Sequence, residues 1–364
     1  PHRPEKATVL VGHRDSELIE ISLPELRLLV KSVSAMIYSK GFKKGDTIMM
    51  ASFYSSNELA NAVLFLAFAC MGIRVFIPMY PEPELFTEWH RLTGFKCIIL
   101  PCREILRQQG LEREKEVVAI FQKRCKQYQL PLLDAFDDFN IPDLIQQVKE
   151  KNSGVLPDSV MPNDITTHTE AVIFTTSGTS GKSKLVVYSQ GAFSISCQSW
   201  AKAGLFDPAI CGNPALTPLF AHTIGIRTFI NSIWSGNPFC VLTVDWFLHK
   251  PEIARYLLLR MKPGHIIGGP ALFNMLLEFF RHFPELKTEL RKNLRALISI
   301  GAPFQRSTAR QIRNALGLDL WNAFGTTETQ MVLLNRPENG LDYDPEDLGT
   351  PLPGVSIKLG ETPD

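Results

Sequence analysis

Apolar positions along the chain follow two alternating rhythms. From Leu26 to Tyr38 and from Glu58 to Met71 they recur at helical spacing, and each stretch is followed by a short β-rich run, Thr47 to Met50 and Val75 to Pro78. Helical periods alternating with short strands predict an α/β fold of stacked layers, with mainly parallel sheets and flanking helices. Leu111 to Gln129 sets Leu111, Val117, Val118, Ile120 and Phe121 among many charges, which predicts an amphipathic surface helix with a solvated charged face. Ala171 to Phe174 and Leu185 to Tyr188 read as strands, so the polar stretch between them is a strand-to-strand loop. Asp134 to Thr167 carries Pro142, Pro157 and Pro162 and little periodicity beyond a short helix near Leu144 to Lys149; it predicts a surface linker.

The loop between the two strands concentrates chemistry. Thr175 to Lys184 reads Thr-Thr-Ser-Gly-Thr-Ser-Gly-Lys-Ser-Lys. Gly178 and Gly181 permit the close backbone approach that lets successive amide N–H groups point at one anion. Thr176, Ser177, Thr179 and Ser180 add hydroxyl donors, and Lys182 and Lys184 add charge-assisted ones. The same composition also suits an ordinary polar turn. A Walker A motif is excluded, because Thr176 stands where that motif needs its first glycine and a strand, not a helix, follows. A second cluster, Trp321 to Glu328, packs Asn322, Ala323, Phe324, Gly325, Thr326, Thr327 and Glu328 into one short run: an amide, an aromatic face, a glycine, hydroxyls and a carboxylate.

Together the two clusters resemble the adenylate-forming superfamily: acyl-CoA synthetases, aryl-acid ligases, luciferases and the adenylation domains of nonribosomal peptide synthetases. Thr176, Ser177, Gly178, Thr179, Gly181 and Lys184 keep register with that family's phosphate loop, while Ser183 and Leu185 replace its usual proline and glycine. Other stretches follow in the family's order: Gly41 to Asp46, Met71 to Pro78, Pro218 to His222, Gly301-Ala302-Pro303, and Leu348 to Pro351 with Pro353 to Val355. The resemblance implies a first lobe over residues 1–166 ending in the linker, a second lobe over 167–340 with phosphate loop and acid pocket, and the start of a small β subdomain over 341–364. A mobile C-terminal domain carrying a further lysine would follow Asp364, so the chain is expected to be catalytically incomplete by itself. The alternative is a nucleotide-binding or scaffold domain that kept the fold without turnover.

The implied reaction is attack of a carboxylate on the α-phosphate of ATP, giving acyl-AMP and pyrophosphate, with the acyl group passing to coenzyme A or a carrier protein. Glu328 and Thr176 would bind Mg²⁺, Lys184 and the loop (Ser177, Gly178, Thr179, Ser180, Gly181, Lys182) would hold the β- and γ-phosphates, and Thr327 would donate to the α-phosphate. Asn322 would read the adenine edge and Phe324 would stack on the ring or pack in the core. Gly301, Ala302 and Pro303 would close the other side, with Ala323, Gly325 and Thr326 completing the nucleotide site. The acid pocket would be lined by His222, Thr223, Ile226, Arg227, Gly268, Gly269, Met331 and Val332. Thr223 falls where amino-acid-activating members carry the aspartate that pairs with an α-ammonium, so an α-amino acid is disfavoured. Aryl, keto, hydroxy and aliphatic acids stay open. Arg227 could meet a second carboxylate, keto or hydroxyl group of the acid, or be tied to a neighbouring carboxylate.

Composition changes this picture little. With 364 residues, 45% hydrophobic content and a net charge of +1, the chain can bury a large core and carries no nucleic-acid footprint. The apolar run from Ala62 to Met71 is too short for a membrane span and no signal peptide is apparent, so a soluble cytoplasmic protein is expected. The cysteines at 70, 97, 102, 125, 197, 211 and 240 lack any Cys-x-x-Cys spacing and read as reduced core residues.

Overall fold

The computed structural model describes residues 8–14, 17–53, 58–107, 110–150, 162–176, 184–207, 215–217, 220–242, 244–337, 343–358 and 360. In chain order the strands are β1 (Thr8–Arg14), β2 (Glu17–Ser22), β3 (Thr47–Met50), β4 (Arg74–Ile77), β5 (Ile98–Leu100), β6 (Leu132–Asp134), β7 (Glu170–Thr175), β8 (Leu185–Ser189), β9 (Ala215–Thr217), β10 (Phe239–Val241), β11 (His265–Gly268), β12 (Ala296–Ile300), β13 (Leu320–Thr326), β14 (Gln330–Asn335) and β15 (Thr350–Pro351). They form one sheet in the order β6-β5-β3-β4-β7-β8 and another in the order β15-β14-β13-β12-β11-β9-β10-β1-β2. Both are parallel in their interiors. Antiparallel strands lie only at their edges: β8 in the first, β2, β14 and β15 in the second.

Strand alternation sorts the apolar side chains into layers. Ile48 and Met50 on β3 face a central core and Met49 faces outward; Val75 and Ile77 oppose Phe76, and Val172 and Phe174 oppose Ile173. In the larger sheet Ile298 and Ile300 join the same central core while Leu297 turns away. Helices Leu23–Ser39, Glu58–Cys70, Ile141–Glu150, Gln190–Lys202 and Thr223–Ser235 fill the space between the sheets. Phe86–Thr93, Cys102–Arg107 and Glu112–Tyr128 cover the outer face of the small sheet. Pro251–Met261, Pro270–His282, Glu285–Asn293 and Arg306–Leu316 cover that of the large one. The expected stack of α/β layers is thus realised as five layers.

The central position explains why Glu58–Cys70 is apolar on every side: both sheets press on it. Its buried Glu58 accepts a hydrogen bond from Asn61 Nδ2 at 3.0 Å. Leu23–Ser39 starts at a capping box, in which Glu25 N–H donates to Ser22 Oγ at 3.4 Å and Ser22 N–H donates to Glu25 Oε2 at 2.6 Å. Such a cap contributes about 1 kcal/mol. Among the described residues no helix is long and apolar enough to cross a membrane. Cys97, Cys102, Cys125, Cys197 and Cys240 are buried free thiols and Cys70 is exposed; Cys211 lies outside the described residues.

Both sheets take strands from either side of residue 166. β1 pairs with β10, with Leu10 opposite Phe239, so the N-terminal hairpin joins the large sheet. β7 pairs with β4, with Phe76 opposite Ile173, so the strand that leads into the Thr175–Lys184 segment belongs to the small sheet. Within the expected linker, Ile141–Glu150 is a full helix whose Ile141 and Ile145 are buried in the central core. At the far end, β15 adds to the large sheet by pairing Thr350 with Leu334.

Candidate functional site

The strand-to-strand loop is confirmed at its base. Thr175 pairs with Leu185 across the antiparallel β7–β8 hairpin, and Thr176 N–H donates to Lys184 C=O at 2.9 Å. This hairpin edge brings Thr176 and Lys184 to one wall of a cavity of about 370 Å³. A second part of the lining comes from the carboxyl end of β13 and the turn after it: Gly325, Thr326, Thr327 and Glu328, with Gln330. Ile300 and Gly301, at the end of β12, form a third side. His222, Thr223, Ile224 and Arg227, from the start of the helix Thr223–Ser235, form the fourth. Carboxyl ends of parallel strands are where open α/β sheets bind ligands.

Each side chain is held by local structure. His222 caps its helix: Ile224 N–H donates to His222 Nδ1 at 3.2 Å, which places the imidazole proton on Nε2. Burial, reinforced by the nearby Arg227 charge, holds the His222 pKa below the usual histidine range, so the ring is neutral at pH 7. Glu328 is exposed at the mouth. Its carboxylate lies below the usual range because of its backbone hydrogen bond first and the Thr326 side chain next, with the Lys184 charge contributing. It is therefore an anion on the same cavity as the Lys184 cation and within its field.

Tyr188 ties the two walls together. It stands on β8, two strand steps beyond Val186, and its hydroxyl donates to the carbonyl of Thr327. Burial pushes the phenol up, while Arg227 draws it down and Glu328 pushes it up, so Tyr188 lies within the field of both. Gln330 adds a second tie, its Nε2 donating to Ala192 C=O at 3.4 Å. Sequence reasoning missed Tyr188, Ile224, Ile300 and Gln330. A buried tyrosine on a hairpin whose neighbour Val187 is exposed was the available signal, since a buried phenolic hydroxyl needs a partner.

Arg227 is 3% exposed. Its guanidinium lies over Trp200, 5.0 Å from the ring centroid, and Nη2 donates to Ser196 Oγ at 3.4 Å. Among the described residues Nε has no partner and no carboxylate pairs with the group. Desolvation draws its pKa down to about 10, which leaves it cationic at pH 7. Thr223 is also buried, and the first turn of this helix holds no acidic residue.

Asn322 is buried on β13, where Nδ2 donates to Pro345 C=O at 3.1 Å and to Asp347 C=O at 3.0 Å. Both amide hydrogens are therefore used, and neither Asn322 nor Phe324 is among the residues that line the cavity. Phe324 is 42% exposed, so it is not a core residue. Ala302 and Pro303 are exposed beyond Gly301 and do not line the cavity.

Several expected pocket residues lie elsewhere. Ile226 and Ala323 are packed in the central core. Gly268 is buried at the end of β11, with Gly269 beginning the next helix, and neither reaches the cavity. Met331 is also a core residue, and Val332 lies beside it on β14. The reason is phase: on the helix, positions 223, 224 and 227 face the cavity while 226 and 229 face the core. Ser177, Gly178, Thr179, Ser180, Gly181 and Lys182 lie outside the described residues.

A family model for AMP-binding enzymes matches residues 2–363. The chain belongs to the AMP-binding enzyme family. This AMP-binding enzyme is 26% identical over 199 residues to human mitochondrial acyl-coenzyme A synthetase ACSM3, a match covering 53% of this chain and 32% of the relative. ATP-bound MatB from Rhodopseudomonas palustris superposes with a TM-score of 0.70 at 20% identity, over 96% of this chain and 63% of that one. The O-succinylbenzoate coenzyme A synthetase MenE from Bacillus subtilis, in complex with AMP, superposes with a TM-score of 0.70 at 16% identity, over 98% and 80%. The chain thus spans about a third of the curated relative and under two thirds of MatB. At these identities the solved structures establish the fold: two sheets with flanking helices, as in the large N-terminal domain of adenylate-forming enzymes.

Proposed function

We propose that this protein takes part in ATP-dependent activation of a carboxylic acid lacking an α-ammonium group, as its acyl-AMP, for transfer to a thiol of coenzyme A or a carrier protein. The observation that carries the reading is the single cavity joining Thr176 and Lys184 to Thr327, Glu328 and Arg227. In the reaction a carboxylate oxygen attacks the α-phosphorus, the bond from that phosphorus to the bridging oxygen breaks, and pyrophosphate leaves. Two anions must meet, so preorganised positive charge lowers the barrier. Lys184 at the hairpin base supplies it beside the β- and γ-phosphates, together with the loop it closes. Thr327 donates its hydroxyl to the α-phosphate, and Tyr188 fixes the Thr327 carbonyl so that this turn keeps its place.

Mg²⁺ fits the donor set. Glu328 is an exposed, ionised hard-oxygen ligand on the same cavity as Thr176, and Mg²⁺ takes one or two protein oxygens together with phosphate oxygens. The ion would neutralise charge on the phosphates. Adenine would lie on the exposed Phe324 next to Gly325, with the backbone at Gly301 on the other side. For the acid, a buried Arg227 and a first turn without carboxylates make an α-ammonium costly to place.

Calorimetric titration with ATP tests the nucleotide half of the reading: binding should be at least about tenfold tighter with Mg²⁺ than without it. Pyrophosphate exchange over a panel of acids, with α-amino acids included, tests the other half. Preference for α-amino acids over their deaminated counterparts would overturn it.

A further inference from the structure

Among the described residues no carboxylate pairs with Arg227. The titratable groups coupled to its charge are Tyr188, Cys197 and His222; burial raises the first two, the thiol to about 12, and lowers the third, so all are neutral at pH 7. The closest hydrogen-bond acceptor among the described residues is a serine hydroxyl, at the long distance of 3.4 Å. Trp200 and Ser196 fix the guanidinium as a rigid planar fork, yet Nε is left with no acceptor. A desolvated guanidinium with an unused Nε donor and only a long Nη2 hydrogen bond, on a residue that lines the cavity, suits a planar anion, which the fork can hold through two parallel hydrogen bonds.

Its depth separates this anion from the reacting one. Lys184 and Glu328 are exposed at the mouth, and the phosphates and the attacking carboxylate belong beside them and Thr327. Arg227 is buried, about one helical turn after Thr223. Ile224 and Ile300 supply the apolar cavity wall. A ligand reaching from the mouth to Arg227 therefore has a carboxylate at its outer end, a carbon body, and a second anion at its inner end.

Resting on the activation reading above, we propose that the acid is a dicarboxylic acid and that Arg227 binds its second carboxylate. Keto and hydroxy acids would satisfy the hydrogen bonds but would leave the charge uncompensated.

The test compares dicarboxylic acids of increasing length (malonate, succinate, glutarate, adipate) with their monoamides, which match them in size and replace one carboxylate by a neutral amide. Affinities are measured by calorimetry on this chain, with and without Mg²⁺ and a non-hydrolysable ATP analogue. The expected result is one length bound about 10- to 100-fold more tightly than its monoamide, the worth of a charge-assisted hydrogen bond. Arg227→Met should bring that ratio close to one, and Arg227→Lys should restore part of it. The ligand comparison needs no variant, so misfolding of Arg227→Met would not remove the test. Equal affinity for diacid and monoamide at every length, or a preference that survives in a folded Arg227→Met, would overturn the proposal. Discrimination among acids without any nucleotide binding would support the dicarboxylate site and overturn the activation reading; nucleotide binding without discrimination would do the reverse.

Discussion

Gly325→Ala should injure the candidate site more than its small size suggests. Gly325 lies at the bulge where β13 slips against β14, between the pairs Phe324–Leu333 and Gly325–Met331. A Cβ built there runs into the carbonyl oxygen of Gln330, 2.6 Å from the carbonyl carbon of the same residue and 2.8 Å from Met331 Cα. Carbon atoms prefer about 3.5–4.0 Å, so the strands must part by close to 1 Å. The obstructing atoms are backbone and have no rotamer to change. Overpacking of this kind costs roughly 1–3 kcal/mol, and the upper end applies because ladder pairing is disturbed as well. At about 2 °C per kcal/mol for a large domain, the melting temperature should fall by about 6 °C. The same displacement moves Thr326, Thr327 and Glu328 away from Thr176 and Lys184, so ATP affinity by calorimetry should fall by about tenfold or more. Gly41→Ala is the control. Its φ of +85° strains an alanine by about 1–2 kcal/mol, but nothing lies within 4 Å of its Cβ position. It should lower the melting temperature slightly and leave ATP affinity alone. Equal ATP affinity in Gly325→Ala and the parent protein, with the fold intact, would refute the reasoning.

Glu328→Gln keeps shape and removes the anionic oxygen, so calorimetry should show Mg²⁺-dependent ATP binding weakened by about tenfold, with no comparable loss in metal-free titrations. The lowered Glu328 pKa fixes the sign of its pH dependence: the carboxylate stays charged as pH falls through the usual glutamate range, and metal-assisted binding is lost only below it. Tyr188→Phe removes the hydroxyl that holds Thr327 C=O and should cost about 1 kcal/mol in denaturant titration, with a severalfold loss of ATP affinity and fluorescence-detected folding retained. His222 is neutral when folded and has a lowered pKa; its contribution is full above the ordinary histidine value of 6.5 and is lost as pH falls toward the folded value. Melting curves between pH 7.5 and 5 should therefore show a loss that His222→Asn, which keeps a cap without titrating, diminishes.

Local features were legible in the sequence, and long-range ones were not. The helix Leu23–Ser39, strands β3 and β4, and the β7–β8 hairpin follow from periodicity, because each is decided by residues a few positions apart. Thr176, Lys184, Thr327 and Glu328 stood out for the same reason: each belongs to a dense local cluster, and the fold sets the clusters face to face. The partition into sheets could not be read this way. The Leu10–Phe239 and Phe76–Ile173 pairs join positions far apart in the chain, and no local pattern says that β1 passes over its neighbours to reach β10. The pocket failed for a different reason, the phase of a repeat. Helical spacing says that Ile226 and Arg227 differ in direction but not which one faces the cavity, and Arg227 does so because Ile226 completes the central core. On β14 the inward residues Met331 and Leu334 are three apart, where an undisturbed strand would keep a spacing of two. The bulge opposite Gly325 accompanies that break in alternation, which turns Met331 into the core. It also sets the strand end that carries Thr327 and Glu328. The feature that spoiled the pocket assignment is therefore the one that shapes this cavity wall, and a substitution at Gly325 probes both at once.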